Sequence, residues 1–160
     1  MATLTSDQAA STFPVAGAAA RGVCQVAVGR YTLAANPSQN DIIQFCKVPA
    51  GATVFGGWLQ GADIDTGTEA FDLDIGYAAN GVESADTDAF GNFGVITGDV
   101  SVHLPVAGIF LPFANVIQSA GYVTFSAETT IIGTVNAAAN SGGTGNLQVV
   151  VFYTVAGDTV

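Results

Sequence analysis

The chain has 160 residues, enough for one domain with a substantial core. Apolar residues make up 49% and charged residues only 10%, against about 25% in ordinary globular chains, which excludes the disordered class. Three Lys and Arg stand against 13 Asp and Glu, and from Val48 to the C-terminus there is neither lysine nor arginine. Such a chain cannot neutralise a row of phosphates, so nucleic acid is excluded as a partner. Its net charge of −10 also discourages anionic membrane surfaces. The shortage of charge points to a subunit that buries much of its surface against copies of itself or a partner.

Residues 1–21 are Ala-, Ser- and Thr-rich and bury too little to fold alone. They read as an extended N-terminal arm that orders on a neighbour, or as a frayed end. They contain no basic segment followed by a continuous apolar one, so no signal peptide is expected. Residues 22–160 are then read as a single β domain.

Val23–Leu33 is β-branched and aromatic in character, and the turn cluster AANPSQN follows it. Ile42–Val48 is a short strand closed by Pro49-Ala50-Gly51-Ala52. Thr53–Ala62 is a strand interrupted by Gly56-Gly57, a pair that predicts a bulge or a close backbone approach. Phe71–Tyr77 alternates cleanly, with Phe71, Leu73, Ile75 and Tyr77 on one face and Asp72, Asp74 and Gly76 on the other. Gly94–Thr97 and Val100–Leu104 are weaker strands. The apolar run Leu104–Ile117 is broken by Pro105, Gly108, Pro112 and Asn115, too short and interrupted to cross a bilayer. Gly121–Ala127, Thr130–Val135 and Leu147–Val155 complete the set, with an Asn/Ser/Gly loop before the last. That final strand is apolar on both faces, as a strand is when it lies centrally or packs on another subunit. No stretch keeps a helical apolar stripe for three turns. The fold class expected is all-β, a β-sandwich or jelly roll.

Chemistry-bearing residues are few. Asp63, Asp65 and Glu69, around Gly67, are weak candidates for a calcium-type site, since hard cations take oxygen ligands at alternate positions. The EF-hand spacing is absent, and the simpler reading is a turn whose Asp and Thr side chains hydrogen-bond the backbone. Asp72 and Asp74 imitate a glycosidase pair but read better as strand neighbours facing solvent. His103 is the single histidine, with no second one to share a metal and no nucleophile in an elbow setting. Trp58 and Phe55 are candidate sugar platforms or interface anchors, with core packing favoured for at least one of them. Cys24 and Cys46 read as small buried hydrophobes made in a reducing cytosol. No catalytic residue and no cofactor is expected.

A resemblance adds the functional step. Asp41-Ile-Ile-Gln-Phe-Cys-Lys-Val-Pro49-Ala50-Gly51-Ala52, Asp63-Ile-Asp65-Thr-Gly67-Thr, Leu73-Asp74-Ile75-Gly76-Tyr77 and Ala85-Asp86-Thr-Asp88-Ala89-Phe90 follow one another in an order that resembles small structural proteins of tailed bacteriophages. The resemblance covers roughly residues 20 to 100 and lies in pattern order, not in a strict signature. It implies a virion component, a head decoration (cement) protein of β-sandwich or jelly-roll fold. It further implies a homotrimer on the outer capsid surface, assembled in the host cytoplasm, with the major capsid protein as partner. No residue role transfers with it. The alternatives are a tail, neck or fibre-associated subunit, and a calcium-dependent carbohydrate-binding module using Asp63, Asp65 and Trp58.

Overall fold

The computed structural model describes residues 2–6, 9–10, 23–96, 108–114 and 121–155. These form β1 (Thr3–Thr5), β2 (Gln25–Leu33), β3 (Ile42–Val48), β4 (Ala52–Ala62), β5 (Asp72–Tyr77), β6 (Asp86–Gly91), β7 (Gly108–Pro112), β8 (Val123–Thr124), β9 (Thr129–Ala137) and β10 (Gly145–Val155). The chain is all-β, a sandwich of two sheets. One runs β1-β3-β9-β5-β6; the other runs β2-β10-β4-β7, with β8 added on β4.

Strands β2, β3, β4, β5, β9 and β10 lie where alternation and turn residues placed them. The expected strand Gly121–Ala127 shrinks to the two residues of β8. Of Gly94–Thr97, Val95 makes a single bridge to Asp72 and Thr97 lies outside the described residues. Val100–Leu104, with His103, also lies outside them. Three strands carried no clear signal. β6 reads DTDAFG, too polar to stand out; β7 hides inside the broken apolar run; β1 is only three residues long. β1 belongs to the segment read as an arm, yet it pairs in parallel with β3 of its own chain, Thr3 opposite Ile42 and Thr5 opposite Gln44. Ala2 N–H caps this contact by donating to Asp41 Oδ1 at 2.9 Å.

The core lies between the sheets. Ile43, Phe45, Leu59, Leu73, Ile75, Val135, Val149 and Val151 are all 0% exposed. Among the described residues only β5 and β6 are both consecutive in sequence and paired. Nearly every ladder therefore joins distant segments, and the fold holds only when the whole sandwich closes. β10 is the central strand of its sheet, between β2 and β4. Leu147, Val149, Val151, Tyr153 and Val155 point inward, while Val150 is covered on the other face, between its register partners Val28 and Trp58. That is why this strand is apolar on both sides.

In β4 alternation and fold part ways. Its register on β10 shifts between Phe152 and Tyr153, leaving Phe55 as the extra residue of a bulge. Unbroken pleating from Val54 would send Trp58 into the core and Leu59 out. The extra residue reverses this, so Val54 and Leu59 are both fully buried and Phe55 is 40% exposed. Core packing for Phe55 or Trp58 is thus corrected: both belong to the outer face. Gly57 makes the bulge possible. It sits at φ +154°, and a Cβ there would clash with the Val150 carbonyl oxygen and meet the Phe113 ring at 2.5 Å. At Gly56 an added Cβ meets only Phe152, at 3.8 Å. Gly57→Ala should therefore destabilise the fold by about 2 kcal/mol or more, and Gly56→Ala by less than about 1 kcal/mol. Urea unfolding of the two variants compares them, and equal losses would refute this account of the bulge.

Candidate functional site

The acidic loop between β4 and β5 is organised around one carboxylate. Asp65 is 2% exposed. Its Oδ1 accepts from the backbone N–H of Ser141 at 3.0 Å and of Gly67 at 3.4 Å; its Oδ2 accepts from Ala70 and Asn140, both at 2.8 Å. Four donors fill the roughly four lone-pair positions of a carboxylate, so Asp65 has none left for a cation. Burial alone would raise its pKa. The four N–H groups outweigh burial and hold it at about 2, from an ordinary 3.8. The residue ties this loop to the loop before β10, where Asp65 also bridges to Gly142. Asp63 keeps its Oδ1 buried without a hydrogen-bond partner, and Glu69 is half-buried nearby in sequence. Among the described residues no group of three or more His, Cys, Asp or Glu is arranged to hold a metal ion.

Asp72 and Asp74 do not both face solvent, which corrects the sequence reading: Asp74 is only 5% exposed. The segment after β6 continues antiparallel along β5. Val95 bridges to Asp72, and Ile96 N–H donates to the Phe71 carbonyl at 2.8 Å. Register on β9 shifts between Asp72 and Leu73, leaving Asn136 as a bulge residue. Its Nδ2 donates to Asp74 Oδ2 at 2.7 Å and to Asp72 Oδ1 at 3.2 Å. One amide thus joins the two carboxylates across the strand pair. Burial raises the pKa of Asp74, assisted by the charges of Asp72 and Asp88 and opposed by Asn136. Asp86 is raised too, by burial and then by Asp88. Catalytic geometry is not assembled here.

Cys46 is buried, and burial pushes its thiol up to about 12, so it is chemically silent at neutral pH. Cys24 is exposed, contrary to its expected burial, because it stands just before β2 where pairing has not begun.

The most distinctive surface is the outer face of the β2-β10-β4-β7 sheet. Pairing lines up Val28, Val150, Trp58 and Pro112 in one row across the sheet, with Val26, Phe152 and Gly56 in the next. Trp58 packs edge-on against Phe152 at 5.2 Å and tilted against Phe110 at 5.8 Å; Phe55 stacks on Phe152 at 6.5 Å. Phe110 and Val26 remain 46% and 52% exposed. Below this apolar half runs a row of amides. Arg30 Nε donates to Gln148 Oε1 at 2.6 Å, Trp58 Nε1 to Gln60 Oε1 at 2.7 Å, and Thr32 Oγ1 to Asn146 Oδ1 at 2.7 Å. Beside Phe110 the small residues Gly61, Ala62 and Gly108 leave a groove of about 660 Å³.

Charge divides the sandwich. The strands β2, β4, β7, β8 and β10 contain no Asp or Glu, and Arg30 is their one charged residue. The opposite sheet carries Asp72 and Asp74 on β5, Asp86 and Asp88 on β6, and Asp41, Glu83 and Glu128 in its loops. Sequence reasoning singled out Trp58 and Phe55 but missed Phe110 and Phe152 as their companions. Only strand pairing brings these four together.

No family model matches this chain, and no curated protein matches it. Solved structures do. A chain in the capsid of Ralstonia phage GP4 superposes with a TM-score of 0.71 at 18% identity, over 99% of this chain and 100% of that one. A chain of the cyanophage Pam1 capsid asymmetric unit gives a TM-score of 0.57 at 18% identity, over 91% and 94%. A chain of the acidic stable capsid of Helicobacter pylori bacteriophage KHP30 gives 0.51 at 14% identity, over 83% and 89%. The likeness is one of fold: this chain has the architecture of chains found in three phage capsids.

The two buried carboxylates should respond to pH with opposite signs. The Asp65 pKa is lowered on folding, so its stabilisation is complete above about pH 4 and is lost as pH falls towards about 2. Asp65→Asn, which puts an NH₂ against backbone donors, should lower Tm at pH 7 and flatten that acid limb. The Asp74 pKa is raised, so its contribution is full below its unfolded value and declines as pH rises through the folded one. The Tm of Asp74→Asn relative to wild type should therefore increase between pH 3 and pH 7. Thermal melts across this range check both signs.

Proposed function

We propose that this chain is a structural subunit of a phage virion, specifically a head decoration (cement) protein. In this reading it binds the outer surface of the assembled shell as a homotrimer, with the major capsid protein as partner, and stabilises the shell against the pressure of packaged DNA. The observation that carries the proposal is the end-to-end likeness to a chain of the Ralstonia phage GP4 capsid, which leaves essentially nothing of either chain unmatched. Two physical features support it. A chain with three basic residues and a net charge of −10 suits a position outside the shell, away from DNA. A rigid sandwich with a carboxylate-free aromatic face suits adhesion and offers no arranged acid, base or nucleophile among its described residues.

The mechanism is thermodynamic linkage. A module that binds assembled shell in preference to free subunits shifts the equilibrium towards the shell by RT ln(1 + [L]/Kd) per site. Repetition over the lattice multiplies a small gain per site. Asp63, Asp65 and Glu69 act in this reading as loop residues, with no metal required.

Particles carrying the protein should rupture at a higher temperature than particles lacking it, and should fall back to the lower value when it is removed. Equal rupture temperatures would overturn the cement role. Densitometry of purified particles separates the tail or neck reading: a decoration protein is present at a copy number of the order of the shell subunits, a tail component at a small fraction of it.

A further inference from the structure

We infer that the outer face of the β2-β10-β4-β7 sheet, centred on Trp58, Phe110 and Phe152, is the surface that seats on the shell, while the acidic sheet faces solvent. The inference rests on the proposed function and names the face that performs it. The partner it calls for is a repeated protein surface, apolar at its centre and carrying no excess of negative charge.

Exposure is the first argument. Phe55, Phe110 and Val26 are 40%, 46% and 52% exposed and stand on one continuous face. Contiguous aromatic surface of this kind marks an interface, and aromatic anchors supply most of the binding energy in interfaces. A face of four strands and four outward rows projects to roughly 500 Å², before the relief of its side chains is counted. That is the scale of one side of a small specific interface, about 600–800 Å² of accessible surface.

Charge decides the orientation. The strands of this sheet have no Asp or Glu, whereas the strands of the other sheet carry Asp72, Asp74, Asp86 and Asp88. Seating the acidic sheet would strip water from its carboxylates; Lys47, the one cation of those strands, is already paired with Glu128 at 2.9 Å. Seating the aromatic face removes water mainly from rings and methyl groups. In its polar half the amides of Gln148, Asn146 and Gln60 already accept from Arg30, Thr32 and Trp58, so they enter the contact with part of their hydrogen bonding satisfied.

The same asymmetry argues against a second copy as the occupant. If two chains paired through their aromatic faces, each would have only the carboxylate-bearing sheet and the sandwich ends left for the shell. One acid-free face cannot serve both contacts. The groove beside Phe110 gives that face a recess for a projecting loop of the partner.

The test uses the full-length protein and phage particles stripped of it, with binding measured by co-sedimentation. Phe110→Asp and Val26→Asp each place one carboxylate on the face. Val82→Asp adds the same charge at a residue 68% exposed in the β5–β6 loop of the acidic sheet. Phe110→Asp and Val26→Asp should each weaken particle binding by about tenfold or more, and Val82→Asp by less than about twofold. All three should keep the wild-type Tm and mass in solution; should Phe110→Asp melt early, Phe110→Ser and the edge-strand variant Val26→Asp carry the comparison. Wild-type binding by both face variants would overturn the assignment. So would a changed mass in light scattering with binding intact, since the face would then belong to a second copy. Failure of the wild-type protein itself to bind stripped particles would instead overturn the proposed function.

Discussion

The pairing of β4 with β10, slipped by one residue at Phe55, is the constraint on which the surface of this protein depends. β10 is fixed in the centre of its sheet by inward residues that have no other place to go. A strand laid against it in unbroken register from Val54 would bury Trp58 and expose Leu59. The bulge inserts one residue, and side-chain period 2 does the rest: Leu59 turns in, Trp58 turns out. Glycine at position 57 is what lets the backbone take that path, since any side chain there collides with β10 and with Phe113. An outward Trp58 then finds Phe152 and Phe110 on neighbouring strands, and a cluster forms.

Bulges set the other sheet as well. In β3 the register on β9 shifts between Gln44 and Cys46, so that Phe45 and Cys46 are buried in succession. In β9 the extra residue is Asn136, whose amide is thereby aimed at two aspartates. Each bulge redirects a side chain that alternation would send elsewhere, and together they give the two faces different chemistry. One is acidic and held by amide and backbone donors; the other is aromatic and free of carboxylates. The loops obey a related economy of hydrogen bonding. Asp65 gathers four backbone N–H groups from two loops that strand pairing alone leaves unsatisfied, which explains why so acidic a turn needs no cation.

The physical picture fits the adhesive role proposed for this module. Its sheets lock through long-range ladders, its buried thiol is inert, and its carboxylates are either tied to backbone donors or gathered on one side. The likeness to chains of phage capsids is one of fold at 14–18% identity, so packing geometry is shared where side chains are not. Surface chemistry is then where members of such an architecture are free to differ. In this chain that freedom has produced a sandwich with one carboxylate-free sheet.

From residues alone, composition determined much: an all-β fold, the positions of the long strands, a chain without the cations that nucleic acid demands, and the scarcity of catalytic groups. These are legible because alternation, turn residues and charge are local properties, complete within a few neighbouring residues. The short strands β1, β6 and β7, the burial of Asp74 and the outward turn of Trp58 were decided only by tertiary structure. Each depends on a partner distant in the chain: β3 for Thr3–Thr5, Asn136 of β9 for Asp74, β10 for the bulge at Phe55. A one-residue register shift leaves no mark in periodicity that could be separated from a glycine pair, and yet it exchanges the core and surface faces of a strand. That exchange is why the aromatic surface is a property of the fold and not of any segment of the sequence.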